Sequence, residues 1–224
     1  MEPLVVIGAG GLGREVAEAV KTLNDHRPTW DLLGFFDDDP ALAGQTVGGL
    51  PVLGPVSAAV TCTVKVVLAL ASPGDLFVRK RIASRLRLAP DRYATVVHPG
   101  AMLAASTQLG PGSIVLAGAV ATADVRVGAH VVVMPHVVLT HDDRLGDYVT
   151  LAAGACLAGA VVAEDGVYVG CRAVVRERRR VGAWSLIGMG AVVTTDVPSG
   201  EVWAGCPARF MRKAQPAAAG DEGA

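Results

Sequence analysis

Two different spacings of hydrophobic residues divide the chain. Up to about residue 92, short apolar runs alternate with stretches of helical spacing. "LVVI" (4–7) reads as a buried strand, and "GREVAEAVKTL" (13–23) as a helix with Val16, Val20 and Leu23 on one face. "LLGFF" (32–36) reads as a second strand, ended by Asp37, Asp38, Asp39 and Pro40, and "KVVLALA" (65–71) as a third. "DLFVRKRIASRLRL" (75–88) predicts a helix that turns Phe77, Ile82 and Leu86 inward and leaves its arginines and Lys80 as a solvated face.

Beyond residue 92 the period is six. Taken every sixth residue from Val97 to Val193, 15 of 17 positions are Val, Leu or Ile, with no slip in register. Gly follows at 110, 128, 146 and 182, every 18 residues, with Glu164 as the exception. A six-residue repeat fits a solenoid in which each short strand turns one aliphatic inward and each turn is made of small residues. Three hexapeptides close one triangular coil, so the stretch 97–197 holds about five and a half coils. With strands ~4.8 Å apart the prism is on the order of 25 Å long. The pattern thus predicts an α/β, Rossmann-like unit over 1–92 and an all-β parallel solenoid over 93–200. A C-terminal segment over 201–224 follows, its last ten residues reading as a disordered tail. Strands of Val and Leu leave apolar rows on each prism face for a closed ring of subunits to cover.

Composition narrows the partners. With 20 Lys and Arg against 21 Asp and Glu the net charge is −1, so no basic surplus exists for a nucleic-acid backbone. "MEPLVVIGAGGLG" matches neither a secretory signal nor a membrane span, which points to a cytoplasmic protein without a membrane partner. Cys62, Cys156, Cys171 and Cys206 lack paired spacing and read as small apolar residues, not as disulfides or metal ligands.

"GAGGLGREVAEAV" at the start, the unbroken hexapeptide run and "VWAGCPAR" after it together resemble the sialic-acid O-acetyltransferase type of hexapeptide acyltransferase. That group includes bacterial nucleotide-amino-sugar N-acetyltransferases, and the resemblance covers residues 1 to about 213. It implies a left-handed β-helix, a homotrimer with acyl-CoA (acetyl-CoA or another) in the grooves between subunits, no metal, and an N-terminal unit that holds a sugar or sugar-nucleotide acceptor. In "THDD" it makes His141 the general base, with Asp142 favoured over Asp143 as the carboxylate that holds the ring, and the backbone N–H of Gly159 as oxyanion donor. It assigns Thr150, Gly170, Cys171, Gly188 and Met189 to acyl-CoA, and the basic residues Arg172, "RERRR" (176–180), Arg209, Arg212 and Lys213 read either as partners of the CoA phosphates or as solvated turns.

The glycine loop has the GxGxxG spacing of Gly8, Gly10 and Gly13, with Gly11 between, and offers backbone N–H groups to a phosphate. The acids at 37–39 lie 29 to 31 residues after Gly8, beyond the ~20 of a dinucleotide fingerprint. The loop therefore reads as a nucleotide-sugar half-site with Asp37 and Asp38 near the base or ribose, or as a bare strand-to-helix turn. Where relatives carry histidines this chain has Leu12 and Thr150, which removes two polar groups expected near the acceptor and the acyl carbonyl. Two other readings stand beside this one. A γ-type carbonic-anhydrase-like metalloenzyme would use His136 and His141, but its third ligand falls at Gly100, with His98 two residues away. An inactive hexapeptide binding module is the other.

Overall fold

The computed structural model describes residues 1–214, and the expected tail of 215–224 lies outside the described residues. The chain opens with β1 (Glu2–Ile7), α1 (Gly11–His26), β2 (Trp30–Phe36), β3 (Thr46–Val47), β4 (Leu50–Gly54), α2 (Ala58–Thr61), β5 (Lys65–Leu68) and α3 (Val78–Leu86). The sheet order is β3-β4-β2-β1-β5, with β1 parallel to both β2 and β5, so the three strands expected from the sequence are neighbours and β5 forms one edge. The β3–β4 hairpin and α2 were not expected. Gly48 and Gly49, at φ 55° and 78°, form the two-residue turn between β3 and β4, and a Gly-Gly pair is the sequence signal for such a hairpin.

Seventeen two-residue strands follow, β6 (Val96–Val97) to β22 (Val192–Val193), in three parallel sheets. Each strand pairs with the strand 18 residues away, as Val132 does with Thr150 and Val133 with Leu151. The second residue of each pair faces inward, and Val115, Val133, Leu151, Val169 and Ile187 are 2% exposed or less. Every sixth residue from Gly112 to Gly190 has a positive φ, between 54° and 72°. Nine of these corner residues are not glycine: Asp124, His130, His136, Asp142, Tyr148, Ala160, Arg172, Arg178 and Trp184. Glu164 breaks the glycine series because its carboxylate is used across coils, accepting from the Ala183 N–H at 2.8 Å and pairing with Arg180. Strand β23 (Glu201–Ala204) extends the first sheet and pairs antiparallel with β24 (Arg209–Lys213).

The three faces differ, which corrects the expectation of an apolar row on each. The first face, β6-β9-β12-β15-β18-β21, turns Val96, Ile114 and Val132 outward, and all are 0% exposed because they join the core beneath α1 with Val16, Val20 and Phe35. The third face carries Gln108, Arg126, Arg144 and Arg180 outward among its strand residues. Only the second face, β7-β10-β13-β16-β19-β22, keeps an uncovered apolar row: Met102, Val120, Val138, Cys156, Val174 and Val192. Among the described residues no helix is long and apolar enough to cross a membrane.

Helix α3 corrects a second expectation. Its arginines do not all face water: Arg79 is 3% exposed and lies between the two units. Its Nε donates to His130 O at 3.0 Å, one Nη to Leu70 O, and the other to Tyr148 O and to Thr150 Oγ1 at 2.8 Å. Among the described residues no carboxylate pairs with it, and burial lowers its pKa to about 10, still well above neutrality. Burial and the Arg79 charge push His130 down to about 4, so its ring is neutral at pH 7 beside the cation. An aromatic stack closes the corner, with Phe77 on Trp184 at 4.1 Å between centroids and His130 on Tyr148 at 5.2 Å.

Because the guanidinium satisfies acceptors from both units, Arg79→Met leaves several buried carbonyls unpaired and should cost about 2–4 kcal/mol. Urea unfolding followed by tryptophan fluorescence reads this, since Trp184 stacks on the same helix. A loss under ~0.5 kcal/mol, the range of an ordinary surface change, would return Arg79 to the solvated class.

Candidate active site

The second and third faces meet at a corner formed by residues 140–143, with 158–161 one coil beyond. Asp142 takes the positive-φ corner position (φ 65°), which sends the next residue to the opposite side of the chain. Asp142 and His141 face water, and His141 Nδ1 lies 2.9 Å from Asp142 Oδ2. Asp143 turns inward and is 0% exposed. The carboxylate beside the ring is therefore Asp142, while Asp143 accepts from the Thr140 and Val161 N–H groups at 2.8 and 2.9 Å. Burial pushes the Asp143 carboxyl up to about 7, against the pull of those two donors and of His141.

Gly159 sits one coil from His141, at the same corner. A Cβ there would lie 2.3 Å from His141 Nε2, so the glycine leaves room for the imidazole. Ala160 N–H donates to His141 O at 2.8 Å and ties the two turns, while the Gly159 N–H has no acceptor among the described residues. A base with its Nδ1 held by a carboxylate and its Nε2 beside a backbone N–H can accept a proton and stabilise a neighbouring oxyanion. Arg176, Arg178 and Arg179 occupy this corner one coil further on.

The N-terminal loop divides its glycines between two tasks. A Cβ on Gly13 would lie 1.8 Å from Gly8 O, so that glycine is required by the approach of α1 to β1. Gly8 has φ 99° and donates its N–H to Phe36 O at 2.8 Å. A Cβ on Gly10 or Gly11 would meet nothing within 4 Å, and both are exposed at the start of α1, open to a ligand. The two acids already have internal partners. Asp37 accepts from the Ala9 N–H at 2.7 Å and the Asp39 N–H at 2.9 Å, and Asp38 accepts from the Val56 N–H at 2.8 Å and pairs with Arg85. Both shape the loop before any ligand arrives. Leu12 packs against the core that α1 shares with the first face.

The residues assigned to acyl-CoA lie elsewhere. Gly170, Cys171, Gly188 and Met189 form the corner between the first and second faces, and Arg209 is exposed on β24. Gly170 has a structural task of its own, since a Cβ would meet Met189 N at 2.6 Å, and Gly188 is crowded by Ala204 at 2.9 Å. Cys171 and Met189 are open to solvent. Thr150 departs from the expectation: it is 3% exposed, and its hydroxyl accepts from Arg79. One chain thus brings His141, Asp142 and Gly159 together on one edge of the second face, and Gly170, Cys171, Gly188 and Met189 on its other edge. Arg79 and the inward role of Asp143 escaped the sequence reading. Among the described residues no group of three or more His, Cys, Asp or Glu is placed to hold a metal ion.

Comparison with known proteins finds similarity in the N-terminal unit and in the whole fold. Residues 3–86 match the family model of the PglD N-terminal domain. The acetyltransferase domain of PglB from Neisseria gonorrhoeae FA1090, solved with acetyl coenzyme A, is 29% identical, with a TM-score of 0.83 over 94% of this chain and 99% of that one. A mutant GDP-perosamine N-acetyl transferase from Caulobacter crescentus, solved with CoA and GDP-perosamine, is 26% identical at a TM-score of 0.82, over 94% of this chain and 97% of that one. A 2,3,4,5-tetrahydropyridine-2,6-dicarboxylate N-acetyltransferase from Staphylococcus aureus is 43% identical over 74 residues, which is 30% of this chain and 31% of that protein. The chain thus matches about a third of the length of that curated relative. A PglD-type N-terminal domain is thus joined to a hexapeptide β-helix in the same arrangement as in these solved acetyltransferases, to which the chain is similar over nearly its whole length.

Proposed function

We propose that this protein transfers the acetyl group of acetyl-CoA to the amine of a nucleotide-linked amino sugar. The observation that carries the reading is His141, held at Nδ1 by Asp142 at 2.9 Å and facing Gly159 with Nε2. As the acceptor nitrogen attacks the thioester carbonyl, Nε2 takes its proton and Asp142 stabilises the imidazolium. The Gly159 N–H donates to the oxyanion of the tetrahedral intermediate. Collapse breaks the C–S bond, and the imidazolium returns its proton to the departing CoA thiolate. The open backbone at Gly10 and Gly11 suits the acceptor's phosphates, and the PglD-type N-terminal unit favours a sugar nucleotide over the dicarboxylate substrate named for the staphylococcal relative. Cys171, Met189 and Arg209 are the exposed members of the set assigned to acyl-CoA. Acetyl-CoA and nucleotide-activated sugars fit the cytoplasmic setting expected from the sequence.

The reading requires more than one chain, because the base and the acyl-CoA residues occupy opposite edges of the second face. A ring of three that joins one subunit's His141 corner to the next subunit's Gly170 corner covers the apolar row from Met102 to Val192 and completes the site. Light scattering should give three times the chain mass. A monodisperse monomer with full activity would overturn both the assembly and the shared site.

His141→Ala should lower kcat by about 10²–10⁴-fold while leaving acetyl-CoA affinity and the trimer unchanged. Asp142→Asn should cost less, since it weakens the hold on the ring without removing the base. Near wild-type turnover by His141→Ala across pH would place the base elsewhere.

Gly159→Ala offers a separate test. Its methyl would displace the imidazole, yet His141 is exposed and can swing aside, so the fold should survive. The expected result is an unchanged melting temperature with kcat reduced at least about tenfold, a single 1.4 kcal/mol step in the barrier. Unchanged kcat would show that the ring does not work from its place beside Gly159.

A further inference from the structure

The interior of the prism at the His141 corner is a stack of equivalent positions 18 residues apart: Val125, Asp143 and Val161. All three are 0% exposed. Valine fills the coils on either side, so the fold itself makes no demand for a carboxylate at this place. Burying one is costly unless every lone pair finds a donor. Here the donors are specific. Oδ2 accepts from the N–H of Thr140, the residue before the base, at 2.8 Å. Oδ1 accepts from the N–H of Val161, two residues after Gly159, at 2.9 Å. The Thr140 N–H also reaches Leu157 O at 3.3 Å, longer than the 2.9 Å ladder bond from Val138 to Ala155 in the same strand, so the carboxylate is its shorter partner.

We propose that Asp143 is a positioning residue for acyl transfer, one inward carboxylate that fixes the base turn and the Gly159 turn at a set separation from within the prism. The inference rests on the reading of His141 as base. A valine would fill the space but accept from neither N–H, leaving the Thr140 N–H only its long bond to Leu157 O and the Val161 N–H without an acceptor, while the Ala160-to-His141 and Arg144-to-Val161 backbone bonds still join the coils. An ionised carboxylate is the side chain that accepts at both oxygens. The titratable groups facing it are His141 and Asp142 from its own turn and Cys156 from the second face. Its folded pKa of about 7 lies above the 3.8 of an unperturbed aspartate, so stability falls as pH rises between those values. The form that holds both turns is thus the one that folding favours less, a cost expected of a group kept for activity.

The test uses the full chain with Asp143→Val, Asp143→Asn and His141→Ala side by side. Asp143→Val should melt at or above the wild-type temperature at pH 8, where the wild type carries the buried charge. Hydrogen–deuterium exchange should nevertheless quicken in peptides covering 138–145 and 157–163. With acetyl-CoA and GDP-perosamine or dTDP-4-amino-4,6-dideoxyglucose as probes, kcat should fall at least about tenfold, while the Kd for acetyl-CoA stays within about twofold. Asp143→Asn keeps one acceptor and should lie between Asp143→Val and wild type in both exchange and turnover. Unchanged exchange in both Asp143 variants overturns the proposal. So does loss of folding in both, which would make the residue structural. An inactive His141→Ala beside a fully active Asp143→Val sinks this proposal alone, whereas an active His141→Ala sinks the reading of the base.

Discussion

One left-handed residue every six positions is the constraint on which the solenoid depends. A positive φ costs a residue with a side chain about 1 kcal/mol, and nine of the 14 corners between Gly112 and Gly190 carry one. Stacking of coils offsets that cost. Corner side chains lie over glycines 18 residues away, His130 on Gly112, His136 on Gly118 and Trp184 on Gly166, and a Cβ on any of these glycines would collide with the ring. Along the corner of Gly118, His136, Gly154, Arg172 and Gly190, large and absent side chains alternate, which leaves each large side chain room over the neighbouring coil.

The same corner geometry creates the site. In "THDD" two identical acids follow a histidine, and nothing in composition or spacing separates them. The positive φ at Asp142 does: Asp142 turns out to the imidazole, and Asp143 turns into the prism. The family resemblance pointed to the outer acid, but the task of the inner one was invisible. Its partners are backbone N–H groups, which carry no side-chain signature. The proximity of His141, Asp142 and Gly159 was legible because a fixed 18-residue coil turns sequence distance into spatial distance. Thr150 was misjudged because that rule places a residue on a face without saying what covers the face.

The N-terminal unit shows where local pattern stops being informative. Apolar runs located β1, β2 and β5, since the C-terminal part of each is buried. The helix reading of 75–88 correctly turned Phe77 inward, yet it treated Arg79 as one of a row of solvated charges. That side chain is buried because carbonyls of His130 and Tyr148, 51 and 69 residues away, converge on it. The glycine loop was half legible. Its spacing marked a tight turn, and only the structure separates Gly13, required by the contact of helix with strand, from Gly10 and Gly11, which nothing in the chain requires.

The attachment of α1 and α3 to particular coils gives the molecule a ruler. The N-terminal unit is fixed to the coils of Val96, Ile114 and Val132, and His141 belongs to the coil that begins at Val132. Each coil advances the axis by one strand spacing, roughly 4.8 Å. The distance along the prism between the glycine loop and His141 can therefore change only in steps of that size, by gain or loss of 18 residues. A bound molecule that links the two is measured against a graduated scale, and lengths between graduations must be met by the molecule's own bending.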